Sequence, residues 1–500
     1  MIGFRLLLAV LVLFPFLALG TAPLFDLDEG AFTASTMEMF LRGDFLSSHL
    51  LGEPRYDKPI LIYWLQAASV SLLGSSEFSW RLPSALASSL WILATHGFVA
   101  RVRDQRTGLA AALIVATAAG LTIITRAATA DALLNLFVAV AGYASWLWLR
   151  ERERRWLYAA WLAMALGFLT KGPIALLLPG GALFLWCATR RDWRSFFSWA
   201  MAPGPLLLFA LVALPWFAVE TWREGPGFLE GFFLKHNLSR FDTPMEGHGG
   251  RPFYYVPVVL ISLLPHTGLL LLAMTRLKII WQDELLRFGL LWFLVAFALF
   301  SFSGTKLPHY VYYGYGGLVL ILAAQVEQRA ARWLLVLSGA LTFALLLALP
   351  SLLDASLPKL KPDDLLLAKG LRFGPAYWLW CTAALVLSLL SLRSATARFA
   401  LYANGLTAGV AVAWFLLPIA GQVQQEPVKQ AGLFARHLTE PLLLYGVNTP
   451  SFQTYVGRQV GKRPPRAGDV ILTRESSLAA LPGNEVLFRS RGYVLTRVKE

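Results

Sequence analysis

Ionisable side chains beside long apolar stretches are costly to keep there, and they mark places where charge is used. In this chain they recur in short clusters. Asp26, Asp28 and Glu29 come first, followed by Asp57 and Lys58 within Arg55-Tyr56-Asp57-Lys58-Pro59. Arg126 and Asp131 come next, then Lys171 in Lys171-Gly172-Pro173. His236, Asn237, Arg240 and His248 form a further group, and Lys306, His309 and Tyr310 the last. A carboxylate among cations can take a proton. Lys, Arg and Tyr donors can hold a departing anion, Arg in bidentate fashion and Lys as a point charge. Each cluster also has a plainer reading. Arg126 and Lys171 can be snorkelling cations, and Asp131 or the pair Asp28-Glu29 can cap a helix. His248 and His266 can be solvated or packed histidines. Capping leaves Asp57-Lys58 and Lys306 without a role.

The elements that must position these groups are membrane spans. Of 500 residues, 57% are hydrophobic and only 15% charged, and the mean hydropathy is +0.57. Disorder needs the opposite balance. The cysteines, Cys187 and Cys381, both lie in apolar runs, so a disulfide scaffold is excluded. The 44 basic and 30 acidic residues leave a net charge of +14, but the basic ones sit in short clusters between apolar runs. No basic stripe with interleaved aromatics offers a surface to nucleic acid. The composition is that of a polytopic membrane protein.

Crossing a bilayer takes about 20 apolar residues. Runs of that kind fall near 5–20, 81–99, 108–124, 132–149, 155–170, 172–189, 198–219, 253–274, 286–303, 309–325, 332–352, 375–393 and 398–419. That makes about thirteen spans. The first also fits a cleaved signal peptide, with Arg5 ahead of an apolar core and small residues at 18–22. An N-terminus inside places Arg101, Arg103 and Arg106, Arg150 to Arg155, Arg190 to Arg194, and Arg276 to Arg287 in short inside loops, as the positive-inside bias requires. The segments 21–80, 220–252 and 353–374 and the tail then all lie outside, on the side that carries the clusters above. Within 21–80, residues 29–41 and 59–73 read as interfacial helices. The tail changes character, with short β-like runs such as Leu442-Leu443-Leu444-Tyr445 and Val470-Ile471-Leu472 punctuated by Asn448, Pro450, Gly468 and Gly483. The expected division is a membrane domain over 1–422 and a small soluble α/β domain over 423–500.

Asp28-Glu29-Gly30, Gly43-Asp44, Tyr56-Asp57-Lys58-Pro59 and Trp80-Arg81-Leu82-Pro83 together resemble the first loop of GT-C membrane glycosyltransferases. The likeness is greatest to the lipid A aminoarabinose transferase-like branch of the protein mannosyltransferase superfamily. It continues through Arg126 and Asp131-Ala132-Leu133-Leu134, Leu169-Thr170-Lys171-Gly172-Pro173, His236-Asn237-Leu238-Ser239-Arg240-Phe241 and Ser303-Gly304-Thr305-Lys306-Leu307-Pro308-His309-Tyr310. The resemblance implies an all-α polytopic GT-C fold in the bacterial inner membrane, with its active site and C-terminal domain on the periplasmic side. It also implies a polyprenyl (undecaprenyl) phosphate sugar donor and a lipid or glycan acceptor such as lipid A or lipopolysaccharide, with inversion at the sugar. By the same resemblance Asp28, with Glu29, is the catalytic carboxylate, and Lys58, Arg240, Lys306 and Tyr310 bind the donor phosphate. Tyr56, Asp57, Arg126, Asp131, Lys171 and His236 support them. Asp57 and His236 are also the expected holders of a divalent cation, although no His-Glu-x-x-His type of metal signature is present. The chain departs from the family in having Ala31-Phe32 where Arg-Tyr is common, Asp57 where Glu is usual, and His266 where Trp is common. These departures bear on the sugar and the acceptor; a protein or other glycan acceptor stays open. A secondary transporter is the reading from another class. Transporters usually carry internal repeats and midplane charges, and neither is apparent here. A scaffolding role leaves the acid–base clusters unexplained.

Overall fold

The computed structural model describes residues 2–238, 249–369, 371–394, 396–480 and 483–499. Among them, seven helices are long and apolar enough to cross a membrane: Glu77–Val102, Asp131–Glu151, Pro203–Glu224, Glu284–Phe302, Arg329–Lys359, Pro375–Arg393 and Ala397–Gln424. Other apolar runs are shorter or broken helices, and the breaks have local causes. The run 253–274 is interrupted between Tyr255–Ser262 and Thr267–Met274, around Pro265, because proline lacks the amide that a continuing helix needs. The run 108–124 breaks at Ala118, which is extended; its amide closes the helix behind it, while Ala119 donates to the carbonyl of Leu264. Several helices begin on a side-chain cap. Ser76 and Ser79 form a capping box before Glu77–Val102, and Asp104 and Asp283 accept the first amides of Gln105–Thr117 and Glu284–Phe302.

The helix Glu77–Val102 has 26 residues, so it spans about 39 Å, and its ends separate two kinds of surface. Arg101 pairs with Glu151 at one end, where Arg103 meets Asp283 and Arg150 meets Glu284. The expected basic loops therefore share one end of the bundle. At the other end Glu77 pairs with Lys429 and accepts from Tyr455.

The two helices expected in the first loop form at Asp28–Arg42 and Leu61–Leu73. Between them a short hairpin, β1 (His49–Leu50) with β2 (Glu53–Pro54), turns through Leu51 and Gly52. Both turn residues have positive φ, 55° and 93°, as tight hairpins of this kind require. The helix Asp28–Arg42 is not a surface helix. Phe32, Thr33, Ala34, Ser35, Thr36 and Glu38 are all buried, enclosed between Leu61–Leu73 and the C-terminal helix Ser451–Val456. That helix docks through Thr454 Oγ1 on Thr33 (2.9 Å) and Gln453 Nε2 on Glu38 (2.9 Å). Tyr455 Oη accepts the amide of Leu24 at 2.7 Å.

After the helices, β3 (Leu442–Leu444), β4 (Val470–Arg474), β5 (Asn484–Ser490) and β6 (Tyr493–Val498) form one sheet in the order β3-β4-β6-β5. β3 runs parallel to β4 and the other pairs are antiparallel. Leu442, Leu444, Val470, Leu472 and Leu495 bury one face together with Val428, Ala431 and Phe452 from the flanking helices.

Candidate active site

Asp28 is the first residue of its helix. Its carboxylate is exposed, and it has no hydrogen-bond or ion-pair partner among the described residues. The helix around it is fixed tightly. The Glu29 carboxylate receives Arg81 Nε and Nη2, each at 2.7 Å, the amide of Ala128 at 2.7 Å and that of Phe25 at 2.8 Å. Arg81 also donates to the carbonyls of Leu19, Ala22 and Pro23. Glu29, expected as a second catalytic carboxylate, thus accepts four hydrogen bonds and anchors the start of the helix that carries Asp28. Gly30 is required by a close approach: a Cβ there would lie 1.9 Å from Asp26 Oδ1 and 2.6 Å from the amide of Ser451. Asp26 in turn accepts the Ser451 amide at 2.9 Å and its hydroxyl at 2.5 Å. Burial pushes the Asp26 carboxyl up to about 7, against the lowering effect of those two bonds.

Asp28 opens on a polar chamber of about 570 Å³ whose walls include Arg55, Tyr56, Asp57, Lys58, Asp131, Lys171, His309 and Tyr310. Two ion clusters line it. In one, Arg55 grips Asp57 with Nε at 2.6 Å and Nη2 at 3.0 Å, and lies over the Phe32 ring. Lys58 Nζ donates to the Asp57 carbonyl at 2.9 Å and lies 3.6 Å from its carboxylate. In the other, Lys171 Nζ donates to Asp131 Oδ1 and to Tyr313 Oη, both at 2.5 Å, while the Tyr313 hydroxyl itself donates to Asp131. Thr129 Oγ1 donates to the second Asp131 oxygen at 2.9 Å, and His309 Nε2 stands 3.6 Å from the first. Asp131 sits at the first turn of its helix without capping it; its side chain belongs to this cluster. Tyr56 donates to Glu224 at 2.8 Å. Burial, then that acceptor, raises its phenol to about 12, so it is a neutral donor.

A second chamber, of about 420 Å³, meets the first at Asp28 and His309, which line both. Its other walls are mostly hydrocarbon, including Ala18, Leu19, Ile123, Ile124 and Leu417, with Arg81 and Arg126 among them.

The site therefore brings together Asp28, Tyr56, Asp57, Lys58, Asp131, Lys171 and Tyr310, with Arg126 on the adjoining wall. Lys306 lies elsewhere: it is buried, its ammonium donates to the carbonyl of Ser303, and it lines neither chamber. Arg240, His248 and the side chain of His236 lie outside the described residues. His266 is buried among helices and bonded to Thr117 at 2.9 Å, which is the packed reading. Asp57 is taken up by Arg55 and Lys58, and no group of three His, Cys, Asp or Glu side chains able to hold a metal ion occurs among the described residues. The other expected holder of a cation, His236, has its side chain outside the described residues. Sequence reasoning assigned no role to Arg55, Tyr313 or Arg81, and nothing in the tail to the site, yet Asn448 and Pro450 line the polar chamber. The signal for Arg55 was available, two residues before Asp57 in an extended stretch. For Asn448 there was none.

Residues 57–217, which include Asp57, Lys58, Asp131 and Lys171, match the family model of dolichyl-phosphate-mannose-protein mannosyltransferases. The chain is 32% identical over 331 residues to the undecaprenyl phosphate-alpha-4-amino-4-deoxy-L-arabinose arabinosyl transferase of Pseudomonas aeruginosa strain LESB58, covering 65% of this chain and 59% of that one. It is 30% identical over 345 residues to an uncharacterized protein of Aquifex aeolicus strain VF5, covering 68% and 78%. In three dimensions it superposes on the crystal structure of ArnT from Cupriavidus metallidurans bound to undecaprenyl phosphate with a TM-score of 0.82 and 21% identity, over 98% of this chain and 97% of that one. The chain is thus similar in sequence to the aminoarabinose transferases and shares its fold with a solved one. Its sequence match spans about three fifths of the length of the curated arabinosyl transferases, and the superposition shows the fold. The GT-C architecture accounts for a site made of loop residues at one end of the bundle, where several elements converge on one cavity.

Proposed function

We propose that this protein transfers a sugar from a polyprenyl-phosphate donor, of the undecaprenyl type, to a lipid or glycan acceptor such as lipid A, at the periplasmic face of the bacterial inner membrane. On this reading the chain crosses the membrane about thirteen times. The basic end faces the cytoplasm, as the positive-inside bias favours, and residues 423–500 form a separate outer domain. Nucleotide sugars are cytoplasmic, so an outward-facing transferase needs a membrane-borne donor, and the names of the relatives point to the same donor class.

The observation that carries the proposal is the place of Asp28: a carboxylate with no hydrogen-bond or ion-pair partner among the described residues, on the wall shared by a polar and an apolar chamber. The acceptor oxygen attacks the anomeric carbon, the bond from that carbon to the phosphate oxygen breaks, and the phosphate leaves with the electron pair. A single displacement inverts the sugar. Asp28 takes the proton from a hydroxyl acceptor; with a phosphate acceptor, already anionic, it offsets positive charge at the anomeric carbon. Arg55 and Lys58, both on the wall of the polar chamber, are on this reading the cations that stabilise the departing phosphate. Arg240 remains in this reading as an expected phosphate contact, and Tyr310 as a neutral donor. Asp131 and Lys171 hold His309 at the junction.

The test is donor-dependent transfer in membranes. Asp28→Asn should lower transfer by a factor of about 10²–10⁴ at unchanged protein level, and undiminished transfer would exclude the mechanism. Mass spectrometry of envelope lipids and glycans from a deletion strain identifies sugar and acceptor. A changed glycoprotein with unchanged lipids would select the protein-acceptor reading.

A further inference from the structure

Arg81 and Arg126 both line the apolar chamber and are equally buried, each 4% exposed. Their surroundings differ. Arg81 is saturated, with the Glu29 carboxylate on one edge and three backbone carbonyls on the other. Arg126 donates from Nη1 to the carbonyl of Thr122 at 2.8 Å and from Nη2 to that of Phe14 at 2.6 Å, and it lies over the Phe14 ring at 5.1 Å. No carboxylate pairs with it among the described residues, and its buried Nε has no acceptor. A guanidinium removed from water without a counter-charge is strongly disfavoured, and carbonyl dipoles offset only part of that cost. The missing partner is an anion, and the cavity wall is where one can reach the side chain.

The surroundings restrict the anion further. The chamber walls are mainly hydrocarbon, so a free, fully hydrated anion gains nothing there, whereas an amphiphile buries its tail and presents its head. The chamber joins the polar one at Asp28 and His309, so a head group held near Arg126 has its next substituent directed toward the sugar chamber.

We infer that Arg126 is a phosphate-binding residue of this site, seating the phosphate of a prenyl-phosphate lipid whose hydrocarbon fills the apolar chamber. The inference rests on the proposed transferase reading and adds a residue to it. Arg126 compensates the phosphate both before transfer, when it is a diester, and after, when it carries more charge as a monoester.

The experiment is direct binding to the full-length protein in detergent, with no transfer step. Farnesyl phosphate, farnesol and dioleoyl phosphatidylglycerol serve as probes. The wild type should bind farnesyl phosphate at least tenfold more tightly than farnesol. Arg126→Gln should lose that preference while binding farnesol within twofold of the wild type, and Arg126→Lys should keep part of it. A folded Arg126→Gln protein that retains the full preference overturns the inference, and so does phosphatidylglycerol binding as tightly as farnesyl phosphate with the same dependence on Arg126. Should Arg126→Gln not fold, a photoreactive prenyl phosphate on the wild type decides: labelling within 18–25 and 120–129 supports the seat, and labelling confined to the polar chamber refutes it. The outcomes separate from those of the transfer assay. Asp28→Asn with intact transfer defeats the mechanism and leaves an Arg126-dependent phosphate preference standing. Loss of transfer in Asp28→Asn, with that preference unaffected by Arg126→Gln, defeats only the seat.

Discussion

At one end of the bundle Arg150 meets Glu284 with side chains 57% and 32% exposed; at the other Arg81 meets Glu29 with 5% and 3%. Both are close arginine–carboxylate pairs of similar length, 2.6 and 2.7 Å. The exposed end carries an open network in which Arg103 shares in Asp283, and Arg150 and Arg190 both meet Glu284. Water screens such pairs, and each contributes about 0–1 kcal/mol. A buried pair has no such tolerance, because removing one partner strands the other without solvent. The same residue types thus serve two purposes. At the basic end they stay in contact with water, and no single partner is decisive. At the site end they fix a backbone to within hydrogen-bond distance.

Breaking the buried member gives the largest expected effect. Arg81→Met leaves Glu29 unpaired and should cost about 3–5 kcal/mol, read by denaturation of the detergent-solubilised protein; stability close to the wild type would mean that the pair is not closed to water. Gly30→Ala comes next. Its methyl must displace Asp26 or Ser451, and overpacking of this kind costs about 1–3 kcal/mol. Thermal melting of that variant should show the loss, and Gly30→Ala with Asp26→Ala should recover part of it.

A smaller effect is a pH dependence. The Asp26 carboxyl is raised from an ordinary 3.8 to about 7 in the fold. Between those values the folded protein holds a proton that the unfolded chain has released, so the contribution to stability falls as pH rises through that window. It is fully present below about 4. Melting across pH 4–8 should show that slope, and Asp26→Asn should flatten it. Smallest is Arg150→Ala at the basic end, expected to change stability by less than about 1 kcal/mol. A loss as large as that from Arg81→Met would erase the contrast between the two ends.

Much of this was legible in the sequence because it is local. Apolar runs give helices wherever a bilayer or a core must cover them, and basic loops are readable residue by residue. Asp57-Lys58 is a short cluster whose charges have no plainer use, and it lines the polar chamber together with Lys171, which also reads as a snorkelling cation. What was not legible is long-range. Nothing near Glu29 announces Arg81, 52 residues on, so two adjacent carboxylates looked alike when one is held by four donors and the other has no hydrogen-bond or ion-pair partner among the described residues. Lys306 sits in the same motif as His309 and Tyr310, yet the turn into the 3-10 helix Pro308–Gly314 sends its side chain away from them. Helix breaks at Ala118 depend on a carbonyl from Leu264, which no periodicity reveals. Asn448 reaches the chamber only because the C-terminal helix docks on the first loop.

That docking has a consequence for when the protein becomes competent. Leu24 and Tyr455, joined by one hydrogen bond, are 431 residues apart, so on a ribosome the loop that bears Asp28 emerges long before its brace. Spans can insert one after another while this loop waits at the membrane surface, and a segment translated far later clamps it. A nascent or prematurely terminated polypeptide therefore carries every charged motif of the pocket and still lacks a rigid pocket to put them in.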